Sequence, residues 1–306
     1  MISVPVHAGI TRITIRLKKS HKTSSPANVT VLRIVTMTAL LCLTGLITSS
    51  RAQWSMGSRN IAMGQAYTAL PDDRWAVFHN PALIDLEKRT LSLFSIRYYG
   101  LREIEDHAAV ITGPAELPFI GERTTSGVAA AVHSYGFELY RETQIRSGWS
   151  VRLQGLHFGI SAKYVHIHIK DYSSSGSLLF DAGIAAELTK GLKAGYRMTN
   201  LFPYRDNRGE QPLHPVEYAF GFSWKAFAGI VLSADIVKDV LHPFSLRSGL
   251  EIEYFDGIFI RGGWTTNPFT WSAGAGFQWS RIRVGIAVQN HEILGLSPGF
   301  DCSLTF

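Results

Sequence analysis

The chain has 306 residues, 46% hydrophobic and 18% charged, which excludes a disordered protein and one built from membrane helices. Its formal charge of +6 suggests an acidic partner, but seven basic residues (Arg12, Arg16, Lys18, Lys19, Lys22, Arg33 and Arg51) fall in the first 52 positions, which hold no Asp or Glu. Setting them aside leaves the rest of the chain at −1, so no nucleic-acid partner is expected.

Residues 1–52 read as a secretory signal: a long basic region, an apolar run over 34–47, and the small-x-small site Ser50-Arg51-Ala52. The run of 14 residues is shorter than the ~20 a membrane helix needs. Cleavage is expected near Ala52/Gln53, which leaves Cys302 as the single cysteine and no intramolecular disulfide.

Residues 53–88 lack strand alternation. They carry small residues (Gly57, Ala62, Gly64, Ala66, Ala69), a turn at Pro71-Asp72-Asp73, and Asn80-Pro81-Ala82, where proline restricts the residue before it. A short plug in the lumen of a β-barrel is expected, with barrel strands from residue 89 to 306.

From Arg89 onward, period-2 alternation recurs. Ile282, Val284, Ile286 and Val288 face one way, with Arg281, Arg283, Gly285 and Ala287 opposite. Leu250, Ile252 and Tyr254 oppose Gly249, Glu251 and Glu253, and Val165, Ile167 and Ile169 oppose Tyr164, His166 and His168. Segments of ~10 residues suit tilted membrane strands. Fourteen are predicted: 89–100, 104–115, 125–137, 142–154, 156–170, 176–188, 191–202, 215–225, 228–238, 245–255, 257–265, 269–279, 281–291 and 297–306. An even number closes an antiparallel transmembrane barrel with no open edge. The longer connections, Pro203–Pro215 and Glu116–Thr124, are both expected on the outer face. Aromatics near strand ends, among them Tyr98, Tyr135, Trp271 and Trp279, are expected at the headgroup level. Phe306 ends the last strand and is the expected assembly signal for the barrel-assembly machinery.

SRNIAMGQAYTALPDDRWAVFHNPAL resembles the N-terminal signature of the FadL-like outer-membrane proteins, PorV/PorQ branch. Gly64, Ala66, Thr68, Ala69, Asp72, Asp73, Phe78, Asn80, Pro81 and Ala82 match; Gln65 and His79 depart from it. FDAGIAAELTKGLKAGYRMTNL and HEILGLSPGFDCSLTF resemble that branch too. The resemblance implies a fourteen-stranded barrel with an N-terminal segment in its lumen, in the bacterial outer membrane. It implies either uptake of a hydrophobic small molecule or a role with type IX secretion components.

No phosphate loop, HExxH or CxxC occurs, so neither enzyme, cofactor nor metal is expected. His166 and His168 share a strand face and are assigned to the polar lumen with Glu251, Glu253 and Arg261; a metal would need His133 or His157 as well. Gly64, Phe78, His79, Asn80, Pro81 and Ala82 are the expected ligand or gating residues. Three outcomes separate the readings. A sealed lumen favours a structural scaffold. An apolar pocket on residues 60–82 favours passage of hydrophobic cargo. A surface Ser–His hydrogen bond favours a barrel enzyme.

Overall fold

A computed structural model describes residues 55–116, 125–202, 214–240 and 242–306. The leader and most of the two longer connections lie outside the described residues.

Fourteen antiparallel strands close into one barrel, each paired with its sequence neighbours and β1 with β14. They are β1 Thr90–Arg97, β2 Glu105–Ala115, β3 Thr125–Gly136, β4 Tyr140–Leu153, β5 Leu156–Ile169, β6 Ser173–Thr189 and β7 Leu192–Thr199. The second half is β8 Glu217–Phe227, β9 Ile230–Asp239, β10 Ser245–Phe255, β11 Ile258–Thr265, β12 Thr270–Trp279, β13 Ile282–His291 and β14 Gly295–Thr305. The seam runs from Thr90↔Thr305 to Ile96↔Gly299. All fourteen predicted strands form, and no end moves by more than three residues.

The alternation has a physical cause. Outward positions such as Leu93, Ile145, Ile160, Ile184, Phe222, Ile260 and Ile286 are apolar and exposed, while the inward neighbours Ser92, Ser161, Asp181, Ser233, Asp235 and Arg261 are buried. A closed wall satisfies every backbone group within itself, and its greasy exterior suits hydrocarbon. Among the described residues no helix is long and apolar enough to cross a membrane, so any crossing is made by strands.

The two barrel ends differ. At the end holding the start of β1, two-residue turns link strands, as at Gln154-Gly155, where both residues have positive φ (49° and 89°). Strand polarity puts the connection after β2 at this end and the connection after β7 at the other, so Glu116–Thr124 and Pro203–Pro215 emerge from opposite ends rather than from one face. Residues 117–124 and 203–213 themselves lie outside the described residues. Two of the expected headgroup aromatics also turn inward: Tyr98 is buried and meets Tyr135 edge-on, 6.3 Å between centroids.

Residues 55–86 lie inside this wall. Helix α1, Ser58–Ala62, packs against β11–β14, and a 3-10 turn, Pro81–Leu83, packs against β4–β6. Asn80 caps that turn by accepting the Ala82 N–H (3.1 Å). Nearly every residue from Ser55 to Leu86 is buried or half-buried. The segment therefore acts as the core of a barrel too wide to fill itself with side chains.

Candidate functional site

The candidate site is the contact between this segment and the lumen wall. Its first half is tied by carboxylates on the strands. Ser58 donates its N–H and hydroxyl to Asp301 of β14 (3.1 and 2.7 Å). Arg59 grips Glu251 of β10 with two nitrogens (2.8 and 2.7 Å), and Arg261 of β11 donates to the same carboxylate at 2.6 Å. The register sets Glu251 directly opposite Arg261. Such a fork satisfies both carboxylate oxygens and fixes orientation. The amides of Tyr67 and Thr68 both donate to Asp235 of β9 at 2.9 Å, and Ser233 donates to the Ala66 carbonyl (2.6 Å).

The segment then folds on itself around His79. The Met56 N–H donates to His79 Nε2 (3.2 Å), so that nitrogen carries no proton; Nδ1–H therefore donates to Asp73 (2.7 Å). Asn60 donates to the other Asp73 oxygen and to the Met56 carbonyl, both at 2.9 Å, and Trp75 N–H adds a third donor to Asp73. Tyr67 stacks on the imidazole at 3.9 Å. Burial pushes the His79 pKa below its ordinary value against the pull of Asp73, with Arg197 and Arg146 adding to the drop. Burial opposes ionisation of Asp73, but His79 and the donors from Asn60 and Trp75 together hold its carboxyl below the usual range. At neutral pH the pair is a neutral imidazole on a carboxylate.

The second half is held by close approach. Asn80 donates to the Thr68 carbonyl (2.7 Å), and Ser150 of β4 donates to the Ala82 carbonyl (3.1 Å). A Cβ on Gly159 of β5 would collide with the Pro81 and Ala82 backbone. Phe78 lies under Arg146 (4.8 Å from guanidinium to ring centroid) and meets His133 edge-on. Trp75, Val77, Phe78 and Ile84 join Phe94, Ile96 and Val110 in the main apolar cluster. Gly64 has φ +61°, and a Cβ there would strike the backbone of Ser248 and Trp264, so only glycine fits.

Gly64, Phe78, His79, Asn80, Pro81 and Ala82 are thus all buried in the lumen, together with Glu251 and Arg261. Glu253 sits on the inward side of β10 but at its exposed end, beside the Gly257 N–H (3.2 Å). His166 and His168 do not belong to the lumen. In β5 the inward positions are Gly159, Ser161, Lys163 and Val165, which places both histidines on the exterior, where His168 is exposed. The lumen assignment is corrected: this end of β5 is wet on both sides, so its apolar residues do not mark the lipid face. His133 is buried inside, so it and the two exterior histidines cannot converge on one ion. Among the described residues no three His, Cys, Asp or Glu gather to hold a metal.

One surface pair does exist: Ser174 and His166 Nε2 are 2.7 Å apart on the exterior. No carboxylate bonds to that imidazole among the described residues, so the orienting member of a hydrolytic triad is lacking there. Phe306 is exposed, and its N–H closes the seam by donating to the Arg89 carbonyl (3.0 Å).

The ties to Asp235 and Asp301 escaped sequence reading. Their signal is an acid at an inward position between apolar outward neighbours: Ala234-Asp235-Ile236 and Phe300-Asp301-Cys302.

Toward the barrel end opposite the start of β1, the segment leaves an open cup. Gln65 forms part of its floor, and Tyr99, Glu217, Arg247, Gln289 and His291 line its wall. The lining mixes polar and apolar groups, and nearly all of residues 60–82 are buried or half-buried. The wall register is unbroken except for bulges at Glu253/Phe255, Glu187/Thr189 and Lys225/Phe227, beside the short turns.

No family model matches the sequence, and no curated protein matches it. Solved structures do share its fold. The Pseudomonas putida toluene transporter TodX is 13% identical over 84% of this chain and 98% of its own, with a TM-score of 0.54. CymD, a monoaromatic hydrocarbon channel, is 13% identical over 82% of this chain and 98% of its own, with a TM-score of 0.58. At such identity the likeness speaks of the fold alone.

Proposed function

We propose that the chain is a bacterial outer-membrane protein of the PorV/PorQ kind, freed of its leader near Ala52/Gln53, that serves type IX secretion as a sealed barrel. The observation that carries this reading is the ring of buried ties from residues 58–82 to β4, β9, β10 and β14. Conduction through the lumen would require several of them to break together. Losing one partner of a buried ion pair alone costs about 3–5 kcal/mol. The signature over residues 57–82 supports the PorV/PorQ branch.

A second reading has its own support. TodX and CymD bear the same fold and are described as a transporter and a channel for hydrocarbons. Here the cup over Gln65 becomes a vestibule, and a shift around Asn80-Pro81 admits a hydrophobic molecule.

Purification from outer membranes in mild detergent separates the two. The sealed-barrel reading expects type IX secretion proteins in the same particle, and no gain in uptake of a dilute hydrophobic probe by cells carrying the protein. A solitary barrel that raises probe uptake overturns it in favour of the channel.

A further inference from the structure

Two residues at the cup hold a backbone that their side chains do not favour. Gln65 has φ +59° and Tyr99 has φ +55°, in the left-handed region where glycine sits without cost. The other non-glycine residues with positive φ among those described have local reasons for it. Asp72, Asp171 and Asn200 are short polar types that this region tolerates, and Gln154 and Ser280 lie in two-residue strand turns. Gln65 belongs to the lumen segment and departs from its signature, while Tyr99 belongs to the 3-10 turn Tyr98–Gly100 after β1. Both line the cup. Strained backbone collects at ligand sites, where the surrounding fold imposes it.

The polar groups beside them are neutral and not fully used by the protein. Gln65 is 8% exposed, yet its side-chain amide bonds to none of the described residues. Gln289 of β13 donates to Thr270 (3.2 Å), which leaves its amide oxygen as an acceptor. His291 accepts the N–H groups of Ile293 and Leu294 at Nδ1 (both 3.3 Å), so Nε2 carries the proton and is a donor. The Tyr99 ring meets His291 edge-on, 6.1 Å between centroids. The charged groups of the lining are matched within the protein: Glu217 pairs with Arg197, Asp239 lies 2.7 Å from His242, and Arg247 is engaged too. Tyr99, Gln289 and His291 stand about half the ring of strands away from β7, after which residues 203–213 follow.

We propose that the cup binds a neutral sugar ring, with Gln65 reading its hydroxyls and Tyr99 supplying the face on which its C–H groups rest. A hydroxyl both donates and accepts, and so does a primary amide, so ring hydroxyls answer Gln65, the Gln289 oxygen and the His291 N–H together. A hydrocarbon would leave those groups unpaired, which is costly where they are buried. An ion would meet charges that already have partners. The tyrosine ring adds an apolar surface with a polar tip, as a sugar requires. The cup lies to one side of the segment and needs no passage past it. The inference therefore goes beyond the sealed-barrel reading and does not depend on whether the lumen conducts.

The test uses the purified full barrel in lauryldimethylamine oxide, a detergent without a sugar headgroup. Saturation-transfer NMR is run with N-acetylglucosamine, galactose and maltotriose, and with toluene as the rival. Saturable binding at millimolar concentration is expected for at least one sugar. Binding of a monosaccharide points to free sugar, and binding of maltotriose alone to the end of a glycan chain. Gln65→Gly relieves the backbone and removes the amide; it should keep the unfolding midpoint and weaken sugar binding at least about tenfold. Tyr99→Asn keeps a residue that tolerates the left-handed region and removes the ring, with the same loss expected. Toluene saturating the cup where no sugar does would overturn the inference. So would no saturable sugar binding at all, or unchanged sugar affinity in either variant.

Discussion

The two halves of the lumen segment are held by different forces. Residues 58–73 meet strand carboxylates: Asp301, Glu251 and Asp235 each accept from the segment. Residues 75–86 meet glycine and apolar side chains, with neutral hydrogen bonds through Asn80 and Ser150. Carboxylate ties are confined to the first half, where Gly64 also packs closely on the wall; the second half relies mainly on shape. An ionic tie is directional and can be broken by removing one partner; close packing resists only when volume is added or removed. A segment held in both ways cannot swing out as a hinge on one half without breaking the other.

This contrast predicts a graded set of failures. The largest belongs to Glu251→Gln, which leaves Arg59 and Arg261 buried without their shared carboxylate. The expected cost is about 3–5 kcal/mol, read as release of the first half to protease while the barrel stays closed. Gly159→Ala comes next. Its Cβ would meet the Pro81 and Ala82 backbone, which cannot rotate away. Overpacking of this kind costs about 1–3 kcal/mol, and protease should then cut near residues 80–86 first. If both variants loosen the same half, the division is wrong.

The smallest effect is set by pH. The folded His79 pKa lies below its unfolded value of about 6.5, so the unfolded segment takes up the proton first. The stability contributed is full above that value and is lost as pH falls below it, by at most about 1.4 kcal/mol per pH unit. Asp73, also lowered, adds a loss in the same direction only below its ordinary range near ~3.9. His79→Gln should flatten the decline between pH ~6.5 and ~5 in urea unfolding. An unchanged slope would assign the decline to other groups.

The barrel was legible because one physical contrast repeats fourteen times, hydrocarbon outside and a polar interior inside. Leu250-Glu251-Ile252 and Ile282-Arg283-Val284 declare their faces directly. Val165-His166-Ile167-His168 misleads because β5 there rises out of the apolar belt, and Val165 turns inward instead. The segment's position in the lumen was readable from its small residues and Asn-Pro. Its ties were not: Ser58 and Asp301 stand 243 residues apart, and only the closed fold brings them together.

The central claim is that the lumen is sealed by residues 58–82. Planar-bilayer recording of the native full-length protein tests it most directly. The account predicts no steady ionic conductance at moderate voltage, with current appearing in Glu251→Gln. A stable open pore in the native protein would contradict it.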